Sequence, residues 1–183
     1  MIELPLPWGD RAIVIRDVED PESFLRDDEL AIARAFPREK RRREWMLARV
    51  AAKLLARRRG LGDIVVERPL VSVSHSGPWA AAAIDTAPVG IDVEVLRDVS
   101  ERAARHFLTP SETAQLQSCT IAHRLLHFWC AKEAAWKQRG GAIPFLKGVP
   151  MGLMRESASG LCFDGVETYA TDEVIVALTR PIS

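Results

Sequence analysis

The chain has 183 residues, of which 48% are hydrophobic and 27% are charged, and its formal net charge at pH 7 is zero. This length and composition suffice for a sizeable core in one domain or two small ones, which excludes a disordered or fibrous protein. The longest apolar runs, such as Trp79–Ile84, are too short to span a bilayer. The N-terminus has no basic flank before a long apolar segment, and the three cysteines lack metal-site spacing. We therefore expect a cytoplasmic protein with reduced thiols and no membrane association.

The neutral total hides a separation of charge. Residues 38–59 contain ten basic side chains against Glu39 and Glu44, so this segment carries +8 and the remainder of the chain −8. Such a segment suits a polyanion or a small ligand with several phosphates, and it is equally typical of a solvated helix face. The basic residues are Arg38, Lys40, Arg41, Arg42, Arg43, Arg49, Lys53, Arg57, Arg58 and Arg59.

In the first half of the chain, the pattern predicts a strand, then helices, then strands. Residues 12–16 alternate weakly, as a strand does, and residues 31–59 follow helical spacing with a break at Pro37. Gly60 and Gly62 end that helix. The runs 70–74, 80–85 and 89–95 are separated by turn residues, which predicts an antiparallel meander of three strands.

The second half repeats the order of helices followed by strands. Helices are predicted at residues 100–107, from Thr109 onward and at residues 121–139, and strands at 161–163, 167–171 and 174–179. The fold class is therefore α+β, with two similar halves related by a pseudo-twofold axis, each a small antiparallel sheet packed with a long helix. The predicted halves are residues 1–97 and 98–183, with the active site between them.

Two carboxylates lie on one predicted strand. Asp92 and Glu94 are two residues apart, so they project to one face while Ile91 and Val93 face the core. Paired carboxylates repel each other unless a cation lies between them, and oxygen ligands suit Mg²⁺. Two solvated acids at the end of a strand remain the alternative.

A second motif lies on the long predicted helix of residues 121–139. Glu133 and Lys137 are four residues apart, and Trp129 lies one turn before Glu133. The functional interpretation makes Glu133 a metal ligand and Lys137 a stabiliser of charge on a phosphoryl group. An ordinary ion pair between neighbouring helical turns is the alternative.

A third motif, Ser72-Val73-Ser74-His75-Ser76-Gly77, ends a predicted strand. Hydroxyls, an imidazole and backbone N–H groups at such a turn favour a phosphate cradle. The spacing is not that of a P-loop or a dinucleotide fingerprint. A serine hydrolase is disfavoured because Ser74 and His75 are adjacent and no nucleophile elbow is present.

As a set, these motifs resemble the 4′-phosphopantetheinyl transferases, particularly the Sfp type, in which one chain holds two similar halves. The resemblance covers about residues 41–141. Four blocks occur in the family's order: Ser74-His75-Ser76, Gly90-Ile91-Asp92-Val93-Glu94, residues 107–112 and residues 129–137.

This resemblance implies Mg²⁺-dependent transfer of the 4′-phosphopantetheine arm of coenzyme A (CoA) to a serine of an apo acyl or peptidyl carrier protein, with release of 3′,5′-ADP. It implies that Asp92, Glu94 and Glu133 bind Mg²⁺, with Glu112 as a further candidate. Catalysis is then expected to depend on Glu133, Lys137 and Asp92. The implied CoA-binding residues are Arg41, Arg49, Arg68, Ser74, His75, Lys132 and Lys137.

The attacking serine belongs to the carrier, so Glu133 or a water held by the carboxylates is the candidate base. The alternative function is a catalytically silent paralogue that binds CoA or a carrier protein. A nucleic-acid-binding protein ranks lower, because only Trp45 is interleaved with the basic residues of segment 38–59. Two halves in one chain can form the site between them, so we expect a monomer.

Overall fold

The computed structural model describes residues 1–64, 66, 70–144 and 146–181, which form five α-helices and nine β-strands. The helices are α1 (Asp27–Arg34), α2 (Glu39–Arg58), α3 (Glu101–Ala104), α4 (Pro110–Gln117) and α5 (Arg124–Gln138). The strands are β1 (Ile2–Glu3), β2 (Ala12–Arg16), β3 (Val71–Ser76), β4 (Trp79–Ile84), β5 (Ile91–Val95), β6 (Arg155–Ser157), β7 (Gly160–Phe163), β8 (Val166–Ala170) and β9 (Val174–Thr179).

The strands form two antiparallel sheets. The first has the order β1-β2-β4-β3 and the second the order β5-β9-β8-β7-β6. Helix α2 packs on the first sheet, and α5 packs on the second. The α+β class, with a long helix on each antiparallel sheet, is therefore the architecture of the described residues.

The core shows how these layers stack. Along β4, alternate residues enter different apolar clusters, as the period of two in a strand requires. Ala80 and Ala82 pack with the buried face of α2, whereas Ala81 and Ala83 pack with strands of the second sheet. A third cluster lies between α5 and the other face of the second sheet. The order of layers is therefore α2, first sheet, second sheet and α5.

Most predicted elements occur close to the predicted residues. The long helix of residues 31–59 is indeed broken near Pro37, into α1 and α2, and the strands predicted in the tail are β7, β8 and β9. The helix predicted over residues 100–107 is reduced to the four residues of α3. Helix α5 begins only at Arg124, because His123 has a left-handed backbone with φ of 53°. No helix in the described part of the chain is long and apolar enough to cross a membrane.

The predicted three-strand meander is wrong in its third strand. β3 and β4 form the expected hairpin, but β5 pairs with β9 in the second sheet. The strand that the predicted boundary at residue 97 assigns to the N-terminal half thus belongs to the sheet of the C-terminal half. The boundary and the pseudo-twofold relation stay predictions.

Helix α5 approaches the start of β5 unusually closely. A Cβ atom added to Gly90 would lie 1.8 Å from the backbone oxygen of Ala134 and 2.9 Å from the backbone nitrogen of Gln138. Only glycine leaves room for this contact. The approach brings Glu133 and Lys137 on α5 close to the carboxylates on β5.

We therefore expect Gly90→Ala to lower the free energy of unfolding by about 3 kcal/mol or more, because the added methyl group meets backbone that cannot rotate away. Gly148→Ala is the matched control, since its Cβ would meet only a methyl group of Ile143 at 3.1 Å. We expect Gly148→Ala to lower the free energy of unfolding by less than about 1 kcal/mol. Chemical denaturation measures both, and equal stabilities of the two variants would contradict the close-approach argument.

Candidate functional site

A pocket of about 390 Å³ lies where α2, β3, β5 and α5 meet. Its lining combines residues from four separate segments and includes eight of the residues predicted for the site. The full lining is Arg41, Trp45, Ala48, Arg49, Val73, Ser74, His75, Asp92, Glu94, Trp129, Glu133 and Lys137.

Asp92 is buried at the floor of this pocket. Its Oδ1 atom accepts hydrogen bonds from Ser74 Oγ and from Lys137 Nζ, each at 2.7 Å. Lys137 Nζ also donates to the backbone oxygen of Ile91 at 3.1 Å. Asp92 Oδ2 is buried with no hydrogen-bond partner among the described residues. An unpartnered buried carboxylate oxygen is costly, and it is therefore a natural position for a cationic partner.

The thiol of Cys130 is a close neighbour of Asp92. Burial, and then the negative charge of Asp92, raise the pKa of this thiol well above its ordinary value. Its Sγ–H group donates to the backbone oxygen of Ile175 at 3.5 Å. Cys130 is therefore a neutral packing residue beside the carboxylate.

Glu94 follows Asp92 on the same face of β5, as the alternation predicts. Its Oε1 atom accepts from Trp129 Nε1 at 2.8 Å, and its Oε2 atom accepts from Ser76 Oγ at 3.0 Å. Arg97 lies 3.5 Å from Oε2. Both oxygens of this carboxylate are thus held by neighbouring donors.

Glu133 contributes a third carboxylate to the pocket, from α5. The three predicted metal ligands Asp92, Glu94 and Glu133 therefore share one pocket. Within the described residues, however, no group of three or more His, Cys, Asp or Glu side chains has the arrangement of a metal site.

The opposite side of the pocket carries positive charge. Arg41 Nη1 lies 2.7 Å from His75 Nε2, and since arginine only donates, this imidazole nitrogen accepts. The neutral ring then has its proton on Nδ1, which lies 3.8 Å from Glu44 Oε2. Burial lowers the pKa of His75 below its ordinary value, against a smaller opposite effect of Glu44, while Arg41 lowers it further. His75 is therefore neutral at pH 7 without a ligand.

Arg49 stacks on Trp45, with its guanidinium carbon 3.4 Å from the ring centroid. Its partial burial lowers its pKa to about 10, so it keeps its charge at neutral pH. Arg41, Trp45 and Arg49 follow one another at a spacing of four positions, so all three lie on one face of α2. This face presents a flat, positively charged surface to the pocket.

Two predicted ligands lie elsewhere. Lys132 is fully buried, and its Nζ pairs with Glu112 at 2.9 Å and donates to the backbone oxygens of Leu146 and Val149 at 3.3 and 3.1 Å. Glu112 also caps α4, accepting from the backbone N–H of Thr109 at 2.7 Å. Lys132 and Glu112 thus pair with each other and do not line the pocket. The assignments of Lys132 to CoA and of Glu112 to the metal stay predictions.

Ser74 lines the pocket, and its hydroxyl donates its one proton to Asp92. Its role in CoA binding stays a prediction. The predicted CoA ligand Arg68 lies outside the described residues.

Few of the basic side chains of segment 38–59 belong to the pocket. Only Arg41 and Arg49 of its ten basic residues line the pocket. Lys53 is buried between Glu29 and Asp63, at 2.9 and 2.7 Å. Arg42, Arg58 and Arg59 likewise bind partners within the protein, namely Glu39, Glu3 and the backbone oxygen of Ile84.

The predicted set of site residues did not include Trp45, Trp129 or Ser76, although Trp129 and Ser76 lie in two of the predicted motifs. Helical spacing did contain a signal, since Trp45 lies between Arg41 and Arg49 and Trp129 lies four residues before Glu133. The signal for Ser76 was the alternation of three serines along β3. Their specific partners depend on how the sheets pack, which a local pattern does not contain.

Comparison with known proteins points to one family. The family model of the 4′-phosphopantetheinyl transferase superfamily matches residues 88–157, which contain the pocket residues Asp92, Glu94, Glu133 and Lys137.

The chain is also similar to three curated proteins. It is 35% identical over 100 residues to the 4′-phosphopantetheinyl transferase psf-1 of Bacillus pumilus, covering 53% of this chain and 40% of that protein. It is 33% identical over 75 residues to the 4′-phosphopantetheinyl transferase Sfp of Bacillus subtilis (strain 168), covering 39% and 34%. It is 30% identical over 139 residues to enterobactin synthase component D of Escherichia coli (strain K12), covering 64% and 66%.

The chain thus spans from about a third to just under two thirds of the length of these relatives. The matched residues include the paired carboxylates of β5 and the glutamate and lysine of α5. The chain is therefore similar to the Sfp-type members of the 4′-phosphopantetheinyl transferase superfamily.

Proposed function

We propose that this protein transfers the 4′-phosphopantetheine arm of CoA to a serine of an apo carrier protein and releases 3′,5′-ADP. One observation carries the proposal: a single pocket joins the carboxylates Asp92, Glu94 and Glu133 to the cationic side chains of Arg41 and Arg49. A pyrophosphate with a bound cation needs both kinds of group. The similarity to known 4′-phosphopantetheinyl transferases supports the same reaction.

The carboxylates fit a divalent cation such as Mg²⁺. Asp92 Oδ2 is a buried oxygen with no partner among the described residues, and Glu94 is on the same face of β5. Mg²⁺ commonly uses one or two protein carboxylates and completes its shell with phosphate oxygens and water. We therefore propose Asp92 and Glu94 as its ligands, with Glu133 on the same pocket wall as the third. There the ion would neutralise charge on the pyrophosphate oxygens.

The basic wall is proposed to hold the CoA phosphates. Arg41 and Arg49 are the cations of α2 that line the pocket, and His75 lies 2.7 Å from Arg41. Within the described residues, Lys137 donates to Asp92 and Ile91, and we propose that its third proton binds a phosphate oxygen of CoA. Positive charge fixed beside the reacting phosphorus stabilises the transition state.

The reaction then requires one displacement at phosphorus. The hydroxyl oxygen of the carrier serine attacks the phosphorus that carries the pantetheine arm. The bond from this phosphorus to the bridging oxygen breaks, and that oxygen leaves with 3′,5′-ADP. We propose that Glu133, or a water held by the carboxylates, takes the proton of the serine.

We propose a cytoplasmic monomer that takes acyl, polyketide or peptidyl carriers and binds no nucleic acid or membrane. Four of the ten basic residues of segment 38–59 bind partners within the protein, which argues against a nucleic-acid surface on that helix.

The first test is the intact mass of an apo carrier protein after incubation with this protein, CoA and Mg²⁺. We expect the mass to rise by one phosphopantetheine group and EDTA to prevent the rise. Glu133→Gln is expected to lower the rate at least about 100-fold, as loss of a catalytic carboxylate does. Glu22→Gln, the same change at an exposed residue outside the pocket, is the control. Wild-type rates in Glu133→Gln would remove Glu133 from the mechanism.

If no carrier gains mass while CoA still binds, the protein is the silent paralogue. That result would reject the transfer reaction and keep the pocket as a CoA site.

CoA binding is expected to take up protons through His75. Burial lowers the pKa of the free ring, and an adjacent 3′-phosphate favours the imidazolium and raises that pKa in the complex. The affinity for CoA therefore falls as the pH rises from the free pKa through the bound pKa. Calorimetry in two buffers of different ionisation enthalpy measures the proton uptake.

His75→Gln should abolish most of this uptake and weaken CoA binding about tenfold, the loss of one charge-assisted hydrogen bond. Dephospho-CoA, which lacks the 3′-phosphate, should bind wild type and His75→Gln alike. Equal proton uptake by the two proteins on binding CoA would refute this role of His75.

A further inference from the structure

β3 and β5 are edge strands of different sheets, yet serine side chains join them. Ser72, Ser74 and Ser76 are two residues apart on β3, so their side chains point to one side of the strand. Ser72 Oγ accepts from the backbone N–H of Ile91 at 3.1 Å. This hydrogen bond joins β3 to the backbone of β5 and involves no carboxylate.

The other two serines of β3 donate to carboxylates. Ser74 Oγ donates to Asp92 Oδ1 at 2.7 Å, and Ser76 Oγ donates to Glu94 Oε2 at 3.0 Å. Ser76 Oγ also accepts from the backbone N–H of Val95 at 3.1 Å. This acceptance orients the hydroxyl, and its single proton is directed to the glutamate.

The two carboxylates depend on their serines to different extents. Asp92 Oδ1 is held by Lys137 as well as by Ser74, so loss of the serine leaves a strong donor on the same oxygen. In Glu94, Trp129 holds Oε1 and the hydroxyl of Ser76 holds Oε2. Loss of Ser76 therefore leaves only the half-exposed Arg97 near Oε2, at 3.5 Å, so the carboxylate can turn more easily about its hydrogen bond to Trp129.

We infer that Ser76 is a positioning residue that fixes the carboxylate plane of Glu94 for cation binding. The inference rests on the proposed function, which makes Glu94 a ligand of the divalent cation. Hydrogen-bond partners behind metal ligands typically contribute 10- to 100-fold to metal affinity.

The test is to titrate the purified protein with Mn²⁺ in the absence of CoA. Electron paramagnetic resonance measures the concentration of free Mn²⁺ at each step. Ser76→Ala is expected to weaken Mn²⁺ binding about tenfold, and Ser76→Thr, which keeps the hydroxyl, to restore it. Ser72→Ala is the matched control, because it removes a hydroxyl from the same face of β3 that contacts only backbone. It should lower thermal stability and leave Mn²⁺ affinity unchanged.

A second readout separates positioning from general damage. In the transfer reaction, Ser76→Ala should need about tenfold more Mg²⁺ for half-maximal rate and should reach the wild-type rate at saturation. The inference is overturned if Ser76→Ala keeps wild-type Mn²⁺ affinity, if Ser72→Ala weakens it equally, or if wild type binds no Mn²⁺.

The inference and the proposed function fail in different ways. A wild-type protein that modifies no carrier would reject the transfer reaction, while the Mn²⁺ titration would still decide the role of Ser76. A fully active wild type, with Mn²⁺ affinity unchanged in Ser76→Ala, would reject the positioning role alone.

Discussion

The buried ion pair between Lys137 and Asp92 ties together the elements that form the pocket. Lys137 belongs to α5 and Asp92 to β5, and the same carboxylate oxygen accepts from Ser74 on β3. A buried pair of this kind contributes little net stability, but removal of one partner alone typically costs about 3–5 kcal/mol, because it leaves a buried charge uncompensated. The arrangement therefore fixes where the helix, the two sheets and the reactive groups lie relative to one another.

This constraint explains why Gly90 precedes the carboxylates. Helix α5 must lie close to β5 for Lys137 to reach Asp92, and the backbone of Ala134 occupies the space where a side chain at residue 90 would lie. The same approach brings Glu133 to the pocket and Trp129 within hydrogen-bond distance of Glu94. One glycine and one ion pair thus set the geometry of the acidic wall.

The two walls of the pocket have opposite charge, and they arise from different layers of the fold. Helix α2, outside the first sheet, supplies Arg41 and Arg49, whereas β5 and α5 supply the carboxylates. A ligand with several phosphates and a divalent cation satisfies both walls. CoA with Mg²⁺, the proposed combination, has this composition, which agrees with the similarity to 4′-phosphopantetheinyl transferases.

Local periodicity carried most of what the sequence could predict. Alternation along β5 correctly predicted that Asp92 and Glu94 share a face, and spacing along α5 grouped Glu133 with Lys137. Lys132 is one residue from Glu133, which is about 100° of helical rotation, and it faces Glu112 instead of the pocket.

Such local patterns do not predict which distant segments pair with each other. β5 pairs with β9 and not with the hairpin of β3 and β4, and this pairing depends on how distant segments pack. The burial of Lys53 between Glu29 and Asp63 depends on the same packing. Charge counting likewise could not separate the two arginines of the pocket from the basic residues that bind neighbouring carboxylates.

The most direct measurement is a crystal structure of the protein with CoA and Mn²⁺, with the ion located by its anomalous signal. We predict that an anomalous peak lies beside Asp92 Oδ2 and that the CoA pyrophosphate lies between the carboxylates and Arg41. CoA bound elsewhere would contradict it, for example in the separate cavity of about 500 Å³ that is lined by His127 and Tyr169. A metal peak away from Asp92 would contradict it as well.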